Sequence, residues 1–391
     1  MPDASSQVKE SDLKNWKMLQ CFEEAVEKVF GTAKLHPTFA DPRRELDCQS
    51  YLSLFFFGLA NPVIESMRGL CSISQLERVQ KEVCHQPVSP GNFSAVQHVL
   101  DVTLLRQVFT EVRDQTVSRA PLSGPLTTLN LIAQDGTLLS ALARMGWAEY
   151  GGGRAGTAKA VRLHLRFNVC EDKPVDLLVT PGKTCERQAL REMCQPGQTN
   201  VGDRYYGEDY QLFGEIDAAN AYFVFRLKAD AVIQAEEELP VSEEDRAAGV
   251  VRHAWVRLGG RASNRSMRLR LVEIKTAAQH LLLVTNLSVE RASAALVGTI
   301  YRRRWSIELF FRWIKCVLGC RHFFAESPAG VEIQLYLVMI AALLFQRYSG
   351  RRPSKRAMEM IQMYLLGWAT AEELAQLFQN ELASEQKHKK S

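Results

Sequence analysis

The sequence predicts an α/β protein: a mixed-sheet core interrupted by a β-rich insertion, with helical regions at both ends. Two observations predict it. Apolar residues keep helical spacing in the first 115 residues and again from Gly330, whereas from Leu126 the period shortens to that of strands. Between those limits strands follow one another, then alternate with helices, until the stretch from Ala229 to Leu296 returns to strands alone. With 391 residues and 46% hydrophobic composition, the chain can bury a sizeable core, as two or three domains or as one core with an insertion.

Residues 1–115 form the helical N-terminal region. Residues 12–30 are amphipathic, with Leu13, Trp16, Leu19, Phe22, Val26 and Phe30 near helical spacing. Further helical segments are Tyr51–Ala60, Ser72–Val83 and Asn92–Val112, separated by breaks at His36–Pro37, Asn61–Pro62 and residues 87–91. In residues 116–228, Leu129–Gln134 reads as a buried strand ending at Asp135. Val161, Leu163, Leu165, Phe167 and Val169 alternate with polar residues as a half-buried strand, and Val175–Val179 returns from the turn at Glu171–Pro174. A helix over Lys183–Met193, a strand over Thr199–Asp203, a helix over Asp209–Ala218 and a strand over Tyr222–Leu227 follow. Three antiparallel strands followed by alternating helix and strand is the ribonuclease-H-like order.

The insertion, 229–296, opens with an acidic loop and continues with strands at Trp255–Leu258, Met267–Ile274 and Leu281–Thr285. The core resumes over 297–350, where Gly330–Tyr348 is expected to be a helix packed on the sheet. In residues 351–391, Thr370–Glu373 has the pattern of a capping box that starts a final helix. The tail from Glu385 is expected to fray, and the region is a candidate for oligomerisation.

The net charge of +4 is mild, so composition alone does not point to nucleic acid. Arg252, Arg257, Arg261, Arg265, Arg268, Arg270 and Lys275 form a basic tract just after the acidic Glu236–Glu238 and Glu243–Asp245. Such runs are more often solvated faces than binding sites; the motif that follows adds weight to this one. Nine cysteines, an odd count without CxxC pairs or zinc spacing, imply reduced thiols and a cytoplasmic protein. The polar, acidic N-terminus does not read as a signal peptide. The longest apolar run, Leu335–Phe345, falls short of the roughly 20 residues of a membrane helix, which leaves a buried core helix and no membrane partner.

The most informative stretch is Tyr301–Arg302–Arg303–Arg304–Trp305–Ser306–Ile307–Glu308, continued by Phe311, Arg312 and Lys315. At roughly 100° per residue, Tyr301, Arg304, Glu308 and Lys315 fall within about 60° of one another, and Arg312 joins them. Ile307, Phe310, Ile314 and Val317 face the other way, and Trp305 is expected in the core. One carboxylate among several bases suits an acid working beside a polyanion. Tyr, two residues, Arg, three residues, Glu, six residues, Lys resembles the YREK signature of a subgroup of DDE insertion-sequence transposases. The resemblance runs from about Leu70 to Tyr348 and includes Gln134–Asp135–Gly136–Thr137 and Gly202–Asp203–Arg204–Tyr205–Tyr206.

That resemblance implies a ribonuclease-H-like core carrying a catalytic, metal-binding triad of Asp135, Asp203 and Glu308, with a β-rich insertion between the second and third acids. It implies two divalent ions, Mg2+ with Mn2+ able to substitute; hard oxygen ligands suit both. The partner would be double-stranded DNA, both terminal inverted repeats and target, bound by a homodimer. Tyr301, Arg304 and Lys315 would contact phosphates near the cleaved end, and the serine-rich Ser89–Ser94 segment belongs to a helical region that helps bind element ends. Arg312 stands among them. Arg226 and Lys228 sit where relatives touch DNA, although a solvated strand end explains them equally well. Some relatives stack an extruded base on a Trp just before Leu281; here His280 occupies that place, and imidazole stacks less well.

Each acid also has a plainer reading. Asp135–Gly136 can be a hairpin turn, Asp203–Arg204 a local salt bridge, and Glu308 a partner of Arg304 or Arg312. The strand before Asp203 is weakly apolar for a central position. Pro181–Thr184 ends like a phosphate-binding loop, but Leu177 stands where a glycine is required, and Gly151–Gly153 reads as a flexible loop. The expected function is a cut-and-paste DNA transposase, with a hairpin step that only the resemblance implies. Its two rivals are a silent end-binding repressor and a nuclease of the same fold.

Overall fold

The computed structural model describes residues 15–41, 44–61, 63–117, 124–153, 156–259, 267–277, 279–316, 323–349, 351–365 and 368–388. Leu13, Arg261, Arg265 and Val317 lie outside the described residues. In chain order, the N-terminal helices are α1 (Asn15–Phe30), α2 (Cys48–Ala60), α3 (Met67–Ile73), α4 (Pro90–Val96) and α5 (Val102–Gln115). There follow β1 (Leu131–Ser140), β2 (Glu149–Gly153), β3 (Gly156–Asn168), β4 (Lys173–Pro181), α6 (Glu186–Met193), β5 (Thr199–Gly202), α7 (Tyr210–Ala218) and β6 (Tyr222–Arg226). Then come β7 (Ile233–Glu238), α8 (Glu243–Ala247), β8 (Val250–Leu258), β9 (Leu269–Lys275), β10 (His280–Thr285), α9 (Ala294–Arg303) and α10 (Trp305–Cys316). The chain closes with α11 (Pro328–Ser349), α12 (Lys355–Leu365) and α13 (Ala371–His388). Two compact units result: one is Met1–Ala120, Ser140–Ala148 and Arg312–Ser391, the other Pro121–Leu139 and Glu149–Phe311.

The first unit is helical. α1 packs on α2 and α5, its Phe22 ring stacked on Phe56 at 4.5 Å. α11 lies along α5 and α2, and a Phe109–Tyr336 ring contact at 6.0 Å joins them. Pro328–Arg347 is long and apolar enough to cross a membrane, but 83% of its most apolar window is buried inside the protein, as a core helix requires. Two expected helices are divided. Within Ser72–Val83, a π turn at Gln80–Cys84 ends at His85 in the left-handed region. Within Asn92–Val112, Asp101 breaks the segment by capping α5 through the Thr103 N–H. The capping box at Thr370 and Glu373 forms, and α13 runs on to His388 instead of fraying from Glu385.

The second unit holds one ten-stranded sheet, in the order β2-β3-β1-β5-β6-β10-β9-β8-β7, with β4 paired to β3. β1, β5 and β6 run parallel, β3 and β4 antiparallel, and these five lie in the order β4-β3-β1-β5-β6. The strands of 229–296 pair onto β6 through β10 and so extend the same sheet. β7, read as an acidic loop, is its edge strand. Its Glu236, Glu237 and Glu238 pair with Arg257, Arg268 and Arg252, so much of the basic tract is neutralised by the acidic one. Charges on an edge strand also oppose pairing with other chains. Gly151–Gly153, read as a loop, belongs to β2, which pairs with the start of β3.

β5 is central despite its polar composition because its buried amide, Asn200, is bonded on both sides. Asn200 accepts from Gln134 Nε2 at 3.0 Å and donates to the Tyr222 carbonyl at 3.1 Å. Each bond offsets the cost of burying an amide. Around these strands Phe213, Phe223, Phe225, Val256 and Leu271 belong to one apolar core. On the far strands, buried Arg270 donates to the carbonyls of Leu287 and Ser288 at 2.9 and 2.7 Å, while Asp245 of α8 accepts the Ala295 N–H at 2.7 Å. Those bonds fix the start of α9, the helix that carries Tyr301.

Candidate active site

The site begins with strand register. Ala133 of β1 lies opposite Val201 of the parallel β5. Two residues further along each segment stand Asp135, still within β1, and Asp203, just past the end of β5, and the charge of Asp203 acts on Asp135. β1 does not stop at Asp135, as Asp–Gly suggested; it continues to Ser140. Gly136 serves close approach instead of a turn, since a Cβ there would stand 2.8 Å from Glu186 Oε1 and 2.9 Å from its Cγ and Cδ.

Beyond Asp203 the chain folds back under local constraints. Asp203 Oδ1 accepts the Tyr205 N–H at 2.9 Å. A Cβ on Gly202 would meet the Tyr206 ring at 2.7 Å, and one on Gly207 would overlap the Arg226 carbonyl oxygen. The two glycines therefore let the turn press Tyr206 into the core, where it is 2% exposed and stacks on Phe225 with ring centroids 5.7 Å apart.

Asp135 is pushed up from 3.8 to about 7, by burial first and then by the charge of Glu186, with Asp203 adding to it. The Gly136 N–H and the Arg304 guanidinium oppose that rise. Glu186 is raised too, by burial and by Asp203, against the pull of Arg162, with which it forms an ion pair. The Tyr206 phenol, buried and within reach of the charges of Glu186, Asp135 and Asp203, is held well above its ordinary range.

Glu308 enters through Arg304, whose Nη2 lies 2.6 Å from Glu308 Oε1 and whose charge acts on Asp135. Arg304 Nε is buried and makes no hydrogen bond among the described residues. The Tyr301 ring centroid is 5.8 Å from the Arg304 guanidinium carbon. The helix expected to carry the whole signature breaks at Arg304, between α9 and α10. Trp305, expected in the core, is 48% exposed because that break turns it outward.

Asp135, Asp203, Arg304, Glu308 and Tyr301 thus lie in one unit and interact as a chain of charges. Arg312 and Lys315 lie further along α10, in the part that belongs to the helical unit. Arg226 is half-buried at the end of β6, Lys228 pairs with Glu208 at 2.9 Å, and exposed His280 pairs with Glu273 at 2.7 Å. Glu186 is the acid that sequence reasoning missed. Its signal was an acid in the first turn of a helix next to a glycine-bearing strand, which is too common to single out.

Among the described residues, no three acid, His or Cys side chains converge tightly enough to hold a metal ion as they stand. The donor set nevertheless suits a divalent cation in type: half-buried, mutually repelling carboxylates, one of them lifted to about 7 by burial and by the charge of Glu186.

The family described as Transposase DDE domain matches residues 114–344. The y4zB protein of Sinorhizobium fredii, named as a putative transposase, is 30% identical over 206 residues, 51% of this chain and 56% of that protein. A Geobacillus stearothermophilus protein named as a transposase for insertion sequence element IS5377 is 28% identical over 204 residues, 52% of each. The chain spans about half the length of these curated relatives. A solved piggyBac transposase synaptic complex with hairpin DNA aligns over 92% of this chain and 81% of its own, at 11% identity and a TM-score of 0.46.

Proposed function

The chain belongs to the DDE transposase family, and on that premise we propose that it cuts and joins DNA at the ends of a bacterial insertion sequence. The observation that supports this reading is that Asp135 on β1 and Asp203, just past the end of the parallel neighbour β5, act electrostatically on each other, with Glu308 paired to Arg304, whose charge also acts on Asp135. Asp135, Asp203 and Glu308 would hold two divalent ions, Mg2+ with Mn2+ as a substitute. When bound, such ions activate the attacking oxygen and stabilise the leaving one.

The chain's own residues supply the rest. Arg304, with a buried Nε and one nitrogen on Glu308, offers guanidinium donors to a phosphate and holds the acid in place. Tyr301 adds a phenol, while Arg312, Lys315, Arg226 and Lys228 add cations along the DNA. Lys228 exchanges Glu208 for a phosphate when DNA arrives, and His280 does the same with Glu273. Within this reading the chain is of the YREK subgroup, with a ribonuclease-H-like core and a β-rich insertion. It acts in the cytoplasm as a homodimer on paired ends, and a hairpin step frees the element. Residues 1–115 bind the ends, and 351–391 assist dimer formation.

The test is cleavage of DNA carrying the repeats that flank the gene, in Mg2+, by the intact protein and by Glu308→Gln. Nicks at the repeat boundary that vanish in the variant support the proposal. Binding without nicking by either protein, in Mn2+ as well, defeats it.

A further inference from the structure

The turn after Asp203 carries a surface that the expected site does not use. Tyr205 stands on it, 39% exposed, two residues past the acid, and its N–H is the one that Asp203 Oδ1 accepts. An aromatic side chain so exposed is ordinarily free to turn; this one is held from several sides. The Arg187 guanidinium carbon lies over the ring, 4.1 Å from its centroid, and Arg187 Nε donates to the Tyr205 carbonyl at 2.8 Å. The Tyr205 hydroxyl is in hydrogen-bonding contact with Cys185 Sγ at 3.2 Å, and the Tyr206 ring meets the Tyr205 ring at an interplanar angle of 80°. Cations stand around it. Arg187 and Lys228 share one acid, Glu208, at 3.2 and 2.9 Å, so the pair keeps a net positive charge, and Arg204 is exposed next in the chain. The arginines of the insertion differ, because Arg252, Arg257 and Arg268 face Glu238, Glu236 and Glu237.

A held aromatic ring with a guanidinium on its face and spare cations nearby suits an unpaired nucleic-acid strand: the ring takes a base and the cations take phosphates. Little freedom is lost on stacking, since the ring is already ordered. Resting on the transposase reading above, we propose that Tyr205, layered on Arg187, stacks an unpaired base of the DNA beside the cleaved phosphate, with Arg204 and Lys228 holding the backbone of the same strand. The place differs from that of His280, which lies on β10, two strands away from β5 in the sheet. Stacking here fixes the strand relative to Asp203, because a hydrogen bond joins that carboxylate to the Tyr205 backbone.

The experiment measures binding of the full-length protein, in EDTA and at one salt concentration, to a duplex with a short oligothymidine overhang and to the same duplex with blunt ends. Wild type is expected to bind the overhung DNA more tightly. Tyr205→Ala is expected to lose about ten-fold on that DNA, the worth of one stacked base, while its affinity for blunt DNA changes much less. Tyr205→Phe keeps the ring, loses only the contact with Cys185, and is expected to restore the preference. The proposal fails if wild type treats both DNAs alike, if Tyr205→Ala weakens both equally, as a disturbed turn would, or if Tyr205→Phe is as weak as Tyr205→Ala. None of those results touches the transposase reading, which metal-dependent nicking and its loss in Glu308→Gln decide separately.

Discussion

Replacing Asp135 by Asn should stabilise the protein at pH 8 in EDTA. Asn keeps an Oδ1 to accept the Gly136 N–H, at 2.8 Å in the wild type, but carries no charge. The folded carboxyl is lifted from 3.8 to about 7, chiefly by burial and Glu186, so the folded state binds its proton more tightly than the unfolded chain. Stability is therefore highest near and below pH 4 and falls as pH rises toward 7, after which the loss is complete. At about 1.36 kcal/mol per pH unit the full penalty is ~4 kcal/mol, and partial solvation reduces it to about 2. Urea unfolding of both proteins at pH 4 and pH 8 measures it. The variant should gain about 2 kcal/mol at pH 8 and only a small fraction of that at the lower pH, and Mn2+ should stabilise only the wild type. A variant that is less stable at pH 8 would refute the charge argument.

Three further outcomes follow from the fold. Gly207→Ala drives a methyl into the Arg226 carbonyl oxygen and should cost about 3 kcal/mol or more; thermal unfolding close to wild type would show the turn is free to move. Asn200→Ala strands Gln134 Nε2 and removes the side-chain bond to the Tyr222 carbonyl, so urea unfolding should show a loss of about 2 kcal/mol, and a loss near zero would mean the amide network is not what holds β5. Arg257→Gln removes an exposed partner of Glu236, which predicts less than about 1 kcal/mol in stability and an unchanged salt dependence of DNA binding; a shallower salt slope would place DNA on that strand.

Much of this site was legible because its chemistry is local. Alternation from Val161 to Val169 finds β3, and the spacing of Tyr301, Arg304 and Glu308 finds the basic helix around one acid. What escaped depends on contacts distant in sequence. Asp135–Gly136 carries a turn signal, yet Gly136 answers to Glu186, fifty positions away, and stays in the strand. The acids of 236–238 look like a loop until the arginines of β8 and of the residue before β9 lie beside them. Trp305 looks like core on a continuous helix and is exposed because the helix breaks one residue earlier. Polar β5 reads as a poor central strand because the amide that satisfies Asn200 belongs to β1.

If DNA cleavage depends on a divalent ion held by Asp135 and Asp203, anomalous diffraction from crystals soaked in Mn2+ tests it most directly. A peak between Asp135 and Asp203 that disappears in Asp203→Asn is the expected result. A peak elsewhere, with none between these two carboxylates, would contradict it.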